Sequence, residues 1–286
     1  RRRSPNPCVI VTINSVATLM FVFLGLWTII SLFPYYFQFI TSFKGIEEVN
    51  RITPTFWPDE FLWSNLDLVF SDETNVAALL DTLLIASANT ALAVFLGSLA
   101  GYALARFPRQ AGGENMAFWI LSNRMFPPVA ILLPMFRAFD TVLGSTDNHL
   151  SLIILYLVFN MPLATWLMMV FFRDAPRELE EAAYLDGYSP LRAFFKVTLP
   201  QVVPGMMSVA LLCWIFAWNE YLFANMLVGS NVAVNTIQMP GFVQGAQKLW
   251  NLAALFSFVA VLPPVVLFMV LRRYMVRGLS LGVVKG

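Results

Sequence analysis

Few side chains in this sequence could do chemistry, and most of those stand out because their surroundings are apolar. Only 12% of the residues are charged. Four polar or charged positions fall inside apolar runs: Asp81, Arg124, Asn219 and Glu220. A charge at the bilayer centre costs about 2.5–3.5 kcal/mol on insertion scales, so such a residue faces protein or water rather than lipid. Arg124 lies about nine residues into its run, close to mid-depth at about 1.5 Å of rise per residue. It either lines a watered path or pairs internally with Glu220 or Asp81. Asp81, near the end of its run, escapes most of the penalty and reads as structural. A second set lies in the polar stretch 178–205, ELEEAAYLDGYSPLRAFFKVTLPQVVPG. A carboxylate beside a helix start suits an arginine on another protein. Glu181 is the first candidate for such a contact, while Glu178 and Glu180 serve equally well as helix-start charge.

The rest of the inventory points away from enzymatic chemistry. Cys8 and Cys213 are far apart in sequence, Cys213 falls inside an apolar run, and His149 is the lone histidine. No Cys–His cluster has metal-ligand spacing and no Gly-rich phosphate loop occurs. The chain is expected to bind no metal and no cofactor of its own, to carry no catalytic residue, and to have no means of hydrolysing ATP. A net charge of +1, with no long basic run beyond Arg1–Arg3, gives no sign of nucleic-acid binding.

These residues must be positioned by helices in lipid. The chain has 286 residues, 58% of them hydrophobic, with a mean hydropathy of +0.70. A soluble domain of this length carries about 25% charged residues. The predicted fold class is an all-α integral membrane protein with six spans. The first is the apolar stretch from about Val9 to Phe43, read as uncleaved, with Pro34 as a kink. Lys44–Ala77 is acidic and aromatic and lies outside the membrane. The second span is about Ala78–Phe107, whose run Gly97-Ser98-Leu99-Ala100-Gly101 suits close helix packing. The third is about Met116–Phe139, interrupted by Pro127-Pro128 and Pro134. The fourth is about Leu150–Phe172 and the fifth about Met206–Leu227. An outer loop, Val228–Leu249, precedes the sixth, about Asn251–Tyr274. Basic residues collect on one side (Arg1–Arg3, Arg106, Arg109, Arg173, Arg177, Arg192, Lys196, Arg272, Arg273, Arg277, Lys285), which predicts that both termini and the 178–205 stretch are cytoplasmic.

That stretch reads as two short helices and a turn. Asp174 is a cap for the first, Pro176 sits in its first turn, and Gly187 stops it in a left-handed conformation. Ser189-Pro190 restarts a helix and Pro200 stops it again. Ala182-Ala183 make a small face that another surface can approach. Glu181-Ala182-Ala183, Asp186-Gly187, Leu199-Pro200 and Pro204 resemble the EAA loop of ABC-importer permeases. The resemblance covers residues 78–286 best and the N-terminal segment, first span and outer loop (1–77) more weakly. It implies a type I importer permease fold, with an EAA loop at 177–205 whose Glu181, Ala182, Ala183, Asp186 and Gly187 dock on an ATPase. Phe195 and Leu199 would anchor the second loop helix to the membrane part.

Further residues carry the resemblance toward the second permease subunit of maltose-type carbohydrate importers. Trp218-Asn219-Glu220 resembles the fifth-span pattern of sugar permeases. The tail from Arg277 to Gly286 resembles the ending by which that subfamily reaches into the ATPase dimer, so Gly278, Ser280 and Lys285 are implied contacts in an extended strand. The implied partners are a related second permease, an ATPase dimer carrying ATP and Mg, an extracytoplasmic solute-binding protein, a carbohydrate and membrane lipid, with no nucleic acid. The implied location is the bacterial inner membrane, crossed several times. Arg124, Asn219 and Glu220 are the candidates for the substrate path, and Arg124 suits a sugar hydroxyl or an anionic sugar. The competing class is a proton-coupled secondary transporter using Arg124 and Glu220. Such carriers usually show repeated spans, and none is visible here. A membrane scaffold without transport is a third class, disfavoured by the proline-broken spans.

Overall fold

The computed structural model describes the backbone of residues 7–244 and 248–282, and the side chains of 16–142, 144–244 and 248–274. Every regular element among them is helical: α1 (Pro7–Ser42), α2 (Ile46–Val49), α3 (Ser64–Phe70), α4 (Glu73–Arg106), α5 (Pro108–Ala111), α6 (Gly113–Ser122), α7 (Pro128–Leu143), α8 (His149–Asp174), α9 (Glu178–Leu185), α10 (Pro190–Ala193), α11 (Leu199–Trp218), α12 (Leu222–Leu227), α13 (Asn235–Gly241) and α14 (Trp250–Gly282). A 3-10 turn (Asn123–Met125) follows α6, and a π-helical turn (Phe194–Thr198) joins α10 to α11.

Among the described residues, five helices are long and apolar enough to cross a membrane: α1, α4, α8, α14 and the continuous Pro190–Trp218 segment. The sixth crossing is broken. Gly113–Met125 and Pro128–Val142 meet at 88°, so the expected third span is two pieces. The cause is local. Residues before proline are driven out of the helical region, and Phe126 (ψ 136°) and Pro127 (ψ 120°) both stand extended ahead of Pro128. The fifth span also differs from expectation. It ends at Trp218, not Leu227, with Asn219 as its C-cap and a break before α12. At its other end Pro200 does not stop the loop helix. The backbone passes from α10 through the π turn into α11. A wider turn just before a proline displaces the carbonyl that its ring would otherwise strike.

The chain forms two compact units, Arg1–Ser71 with Phe242–Phe258, and Asp72–Gly241 with Val259–Gly286. Phe242–Phe258 thus belongs with the N-terminal unit. In the first unit, α1 presents apolar side chains such as Phe21, Phe23 and Trp27 along an exposed surface. Below it, Lys44 is buried and faces Glu48 at 3.8 Å. Its backbone carbonyl accepts from Asn65 and Asn251, both at 3.1 Å.

In the second unit, α4 and α8 pack along most of their length. Gly97 and Gly101 make this possible. A Cβ on Gly97 would stand 2.7 Å from Ala164 Cβ, and one on Gly101 2.7 Å from the Met169 nitrogen. A polar clasp crosses the same packing: Asn160 Nδ2 donates to Asn89 Oδ1 (2.8 Å) and to the Cys213 carbonyl (3.1 Å). In α11, Trp214 and Trp218 stack at 4.7 Å. Their indoles donate to Ser87 Oγ and to the Ala260 carbonyl, both at 3.2 Å. The segment leading to α13 is fastened by side-chain acceptors. Asp147 accepts from the backbone of Asn231 (2.7 Å) and Val232 (3.2 Å), Asp81 from Ala233 (3.1 Å), and Thr82 from Asn235 (3.0 Å).

Candidate functional site

The 178–205 stretch forms the expected first short helix and turn, while its second helix runs on through the π turn into α11; the turn is held by backbone geometry. Gly187 is left-handed, with φ +81°. The Tyr188 N–H donates to the Ala183 carbonyl and the Gly187 N–H to the Tyr184 carbonyl, both at 3.0 Å, which closes α9 in a Schellman motif. Ser189 caps α10 and Pro190 is its first residue, as read from the sequence. Asp174 is not the cap of α9: it ends α8, and Arg177 stands at the N-cap with no capping bond, its guanidinium donating instead to the Ala105 carbonyl at 3.2 Å.

The acidic start of α9 is divided between two faces. Glu181 and Ala182 are exposed, as are Asp186 and Gly187 at the turn. Leu185, 90% exposed, and Leu191 add apolar area to the same hairpin. Ala183, expected at the docking face, is turned inward and buried. Glu180 is not a loose helix-start charge either. Its carboxylate is buried and accepts from the Tyr102 hydroxyl, from Tyr184 (2.7 Å), from Thr198 (3.2 Å) and from Arg106 Nε (2.9 Å). Burial opposes its ionisation, but the two tyrosine hydroxyls and Arg106 outweigh that and hold it below the usual glutamate range. Burial and the neighbouring Glu180 push the Tyr184 phenol up. Arg106 also donates to the Ala175 carbonyl at 3.0 Å. This cluster ties α9 to the end of α4 and to the π turn. Its signals in the sequence were faint: a Glu–Tyr pair at i,i+4 and an arginine closing a long apolar helix. Phe194, not Phe195, anchors the second loop helix. Phe194 is buried against Tyr102 (4.7 Å) and Phe172 (5.8 Å), whereas Phe195 is exposed.

The intramembrane candidates separate. Arg124 lies in the 3-10 turn where the third span breaks. Its Nη1 donates to the Phe159 carbonyl (2.8 Å) and its guanidinium lies 4.4 Å from the Phe216 ring centre. It forms an ion pair with neither Glu220 nor Asp81. Asp81 instead faces His149 Nε2 at 2.9 Å. Glu220 accepts from the backbone of Phe223 and Ala224, so it caps α12. Arg124 and Glu220 line one cavity of about 170 Å³ with Tyr156, Phe159, Phe216 and Phe223. Asn219 does not line it; the side chain bonds back to the Ile215 carbonyl at 2.8 Å. In the tail, Gly278 and Ser280 belong to α14, not to an extended strand. Lys285 lies outside the described residues.

A multi-pass helical bundle with a broken span and a helical hairpin clamped to its second crossing defines the membrane subunit of a transporter. The chain belongs to the binding-protein-dependent transport system inner membrane component family, whose profile matches residues 93–281. It is 31% identical over 266 residues to the inner membrane ABC transporter permease protein YcjP of Escherichia coli, covering 92% of this chain and 94% of that one. It is 33% identical over 235 residues to the trehalose transport system permease protein SugB of Mycobacterium tuberculosis, covering 80% and 84%. The fold matches a solved bacterial ABC transporter involved in import of the acidic polysaccharide alginate, with a TM-score of 0.75 at 21% identity over 96% of this chain and 99% of that one. The protein is therefore a multi-pass inner-membrane permease subunit of an ATP-driven importer and not itself an enzyme. Nothing supports the proton-coupled alternative.

Proposed function

We propose that this chain is one of two related permease subunits of a carbohydrate importer and that its α9–α10 hairpin is where ATPase motion enters the membrane part. Relatives named for sugar transport support the carbohydrate reading. In this reading the partners are an ATPase dimer, which holds ATP and Mg, and an extracytoplasmic binding protein that delivers the sugar. The charge distribution along the sequence supports cytoplasmic termini and a cytoplasmic hairpin.

One observation carries the coupling role. Exposed Glu181, Ala182, Asp186 and Gly187 stand on a hairpin whose inner face is fixed by buried Glu180 to Arg106 and Tyr102 of α4. A push on the outer face is thus delivered to a spanning helix through charged hydrogen bonds rather than through a flexible loop. ATPase closure would then draw the hairpin and move the spans between inward- and outward-facing states. Gly278, Ser280 and Lys285 are further candidate ATPase contacts at the other end of the chain.

The test is Glu181→Ala in the reconstituted importer, measured as sugar uptake and ATP hydrolysis together. The complex is expected to assemble while uptake falls about tenfold or more, the scale of a lost hydrogen bond to a charged group. Normal uptake in this variant refutes the docking role. Uptake independent of ATP or of the binding protein refutes the importer reading.

A further inference from the structure

We propose that the cavity bounded by Arg124 and Glu220 is a subsite for the anionic group of a charged saccharide, so that this subunit touches its cargo directly. The proposal rests on the carbohydrate-importer reading and adds the charge class of the cargo. The cavity has two ionisable walls, and their partners differ. Glu220 accepts from the Phe223 N–H (3.1 Å), the Ala224 N–H (3.2 Å) and the Tyr156 hydroxyl. These donors hold the carboxylate over the start of α12, which it caps.

Arg124 is not met in this way. One of its five N–H donors goes to a neutral carbonyl, that of Phe159. Its face is covered by Phe216. No carboxylate pairs with it among the described residues. A half-buried guanidinium within an apolar crossing attracts an anion, and its planar fork matches the oxygens of a carboxylate, sulfate or phosphate. Around it, Phe216, Phe159, Phe223 and Tyr156 supply an apolar lining against which the C–H side of a sugar can rest. The volume of about 170 Å³ is below the roughly 300–1,000 Å³ of a whole small-molecule pocket, so it suits one sugar unit of the cargo.

Saturation-transfer NMR on the nucleotide-free importer complex in lipid nanodiscs, without its binding protein, tests this. The probes are glucuronate, glucose and propanesulfonate. Glucuronate is expected to bind about tenfold more tightly than glucose, the scale of a hydrogen bond to a charged group. Arg124→Gln should bring it down to the level of glucose. Equal binding of glucuronate and glucose in the wild type, or an unchanged preference in Arg124→Gln, overturns the anionic subsite and leaves the carbohydrate reading intact. Propanesulfonate binding as tightly as glucuronate, with both lost in Arg124→Gln, counts instead against the carbohydrate reading. If Arg124→Gln fails to assemble, Arg124→Lys is read in its place. There the charge stays and the fork is lost, so the preference must shrink, and an unchanged one overturns the proposal.

Discussion

At the scale of single residues, Glu180 and Glu181 show how one position's shift around a helix changes a carboxylate's work. Glu181 faces outward and has no structural duty. Glu180 is the acceptor that gathers two tyrosines, a threonine and Arg106. Glu180→Gln leaves the buried guanidinium without its counter-charge, a change that costs about 3–5 kcal/mol when a buried pair is broken. A clear drop in the unfolding temperature of the purified importer is expected, with none for Glu181→Gln. Asp147 makes a second residue-scale case. Burial raises its pKa, but the backbone N–H groups of Asn231, Gly229, Val232 and Ser230 prevail and hold it below the usual aspartate range. A depressed folded pKa contributes stability that is present above the unfolded pKa and lost as pH falls through the folded value. Hydrogen-exchange protection of the 229–232 amides should therefore collapse in acid below the ordinary aspartate range. Asp147→Asn should show the weaker protection already at neutral pH.

At the scale of elements, the α4–α8 pair is the frame on which the hairpin and the cavity depend. Its closeness comes from two glycines one turn apart on α4. Gly101 leaves 2.7 Å between a would-be Cβ and the Met169 nitrogen, a backbone atom that cannot rotate aside. Gly101→Ala must therefore separate the helices. Overpacking of this kind costs about 1–3 kcal/mol, measurable as a lowered unfolding temperature in detergent. Gly25→Ala is the control, since nothing lies within 4 Å of its added carbon. The proline effects are also element-scale. Pro127-Pro128 break the third span, whereas Pro200 is absorbed by the π turn that precedes it.

For the whole molecule, the prediction concerns sidedness. Under the positive-inside rule, the basic residues of the hairpin, α4 and α14 lead us to propose that these ends lie on the cytoplasmic face. A cysteine at exposed Asp186, in a Cys8→Ser, Cys213→Ser background, should react with a membrane-impermeant maleimide in inverted vesicles and stay unreacted in intact spheroplasts. A cysteine at exposed Ile52 should show the reverse pattern. Matching patterns at the two sites would refute the assigned topology.

The sequence by itself determined the solvent, the class and the turn chemistry. An apolar excess over about 20-residue windows can only be accommodated in lipid. Gly187 and Ser189-Pro190 encode their conformations locally, so the hairpin was legible without any tertiary contact. The glycine run on α4 was legible too, because small residues at four-residue spacing share one helix face. What only the tertiary structure decided was partnership. Arg106 and Glu180 are 74 residues apart in sequence, and no local rule joins them. Arg124 and Glu220 became walls of one cavity, rather than an ion pair, because the broken third span turned the arginine toward Phe159 and Phe216. Side-chain direction depends on where a helix bends and which turn it packs on, and those are settled by packing across the bundle.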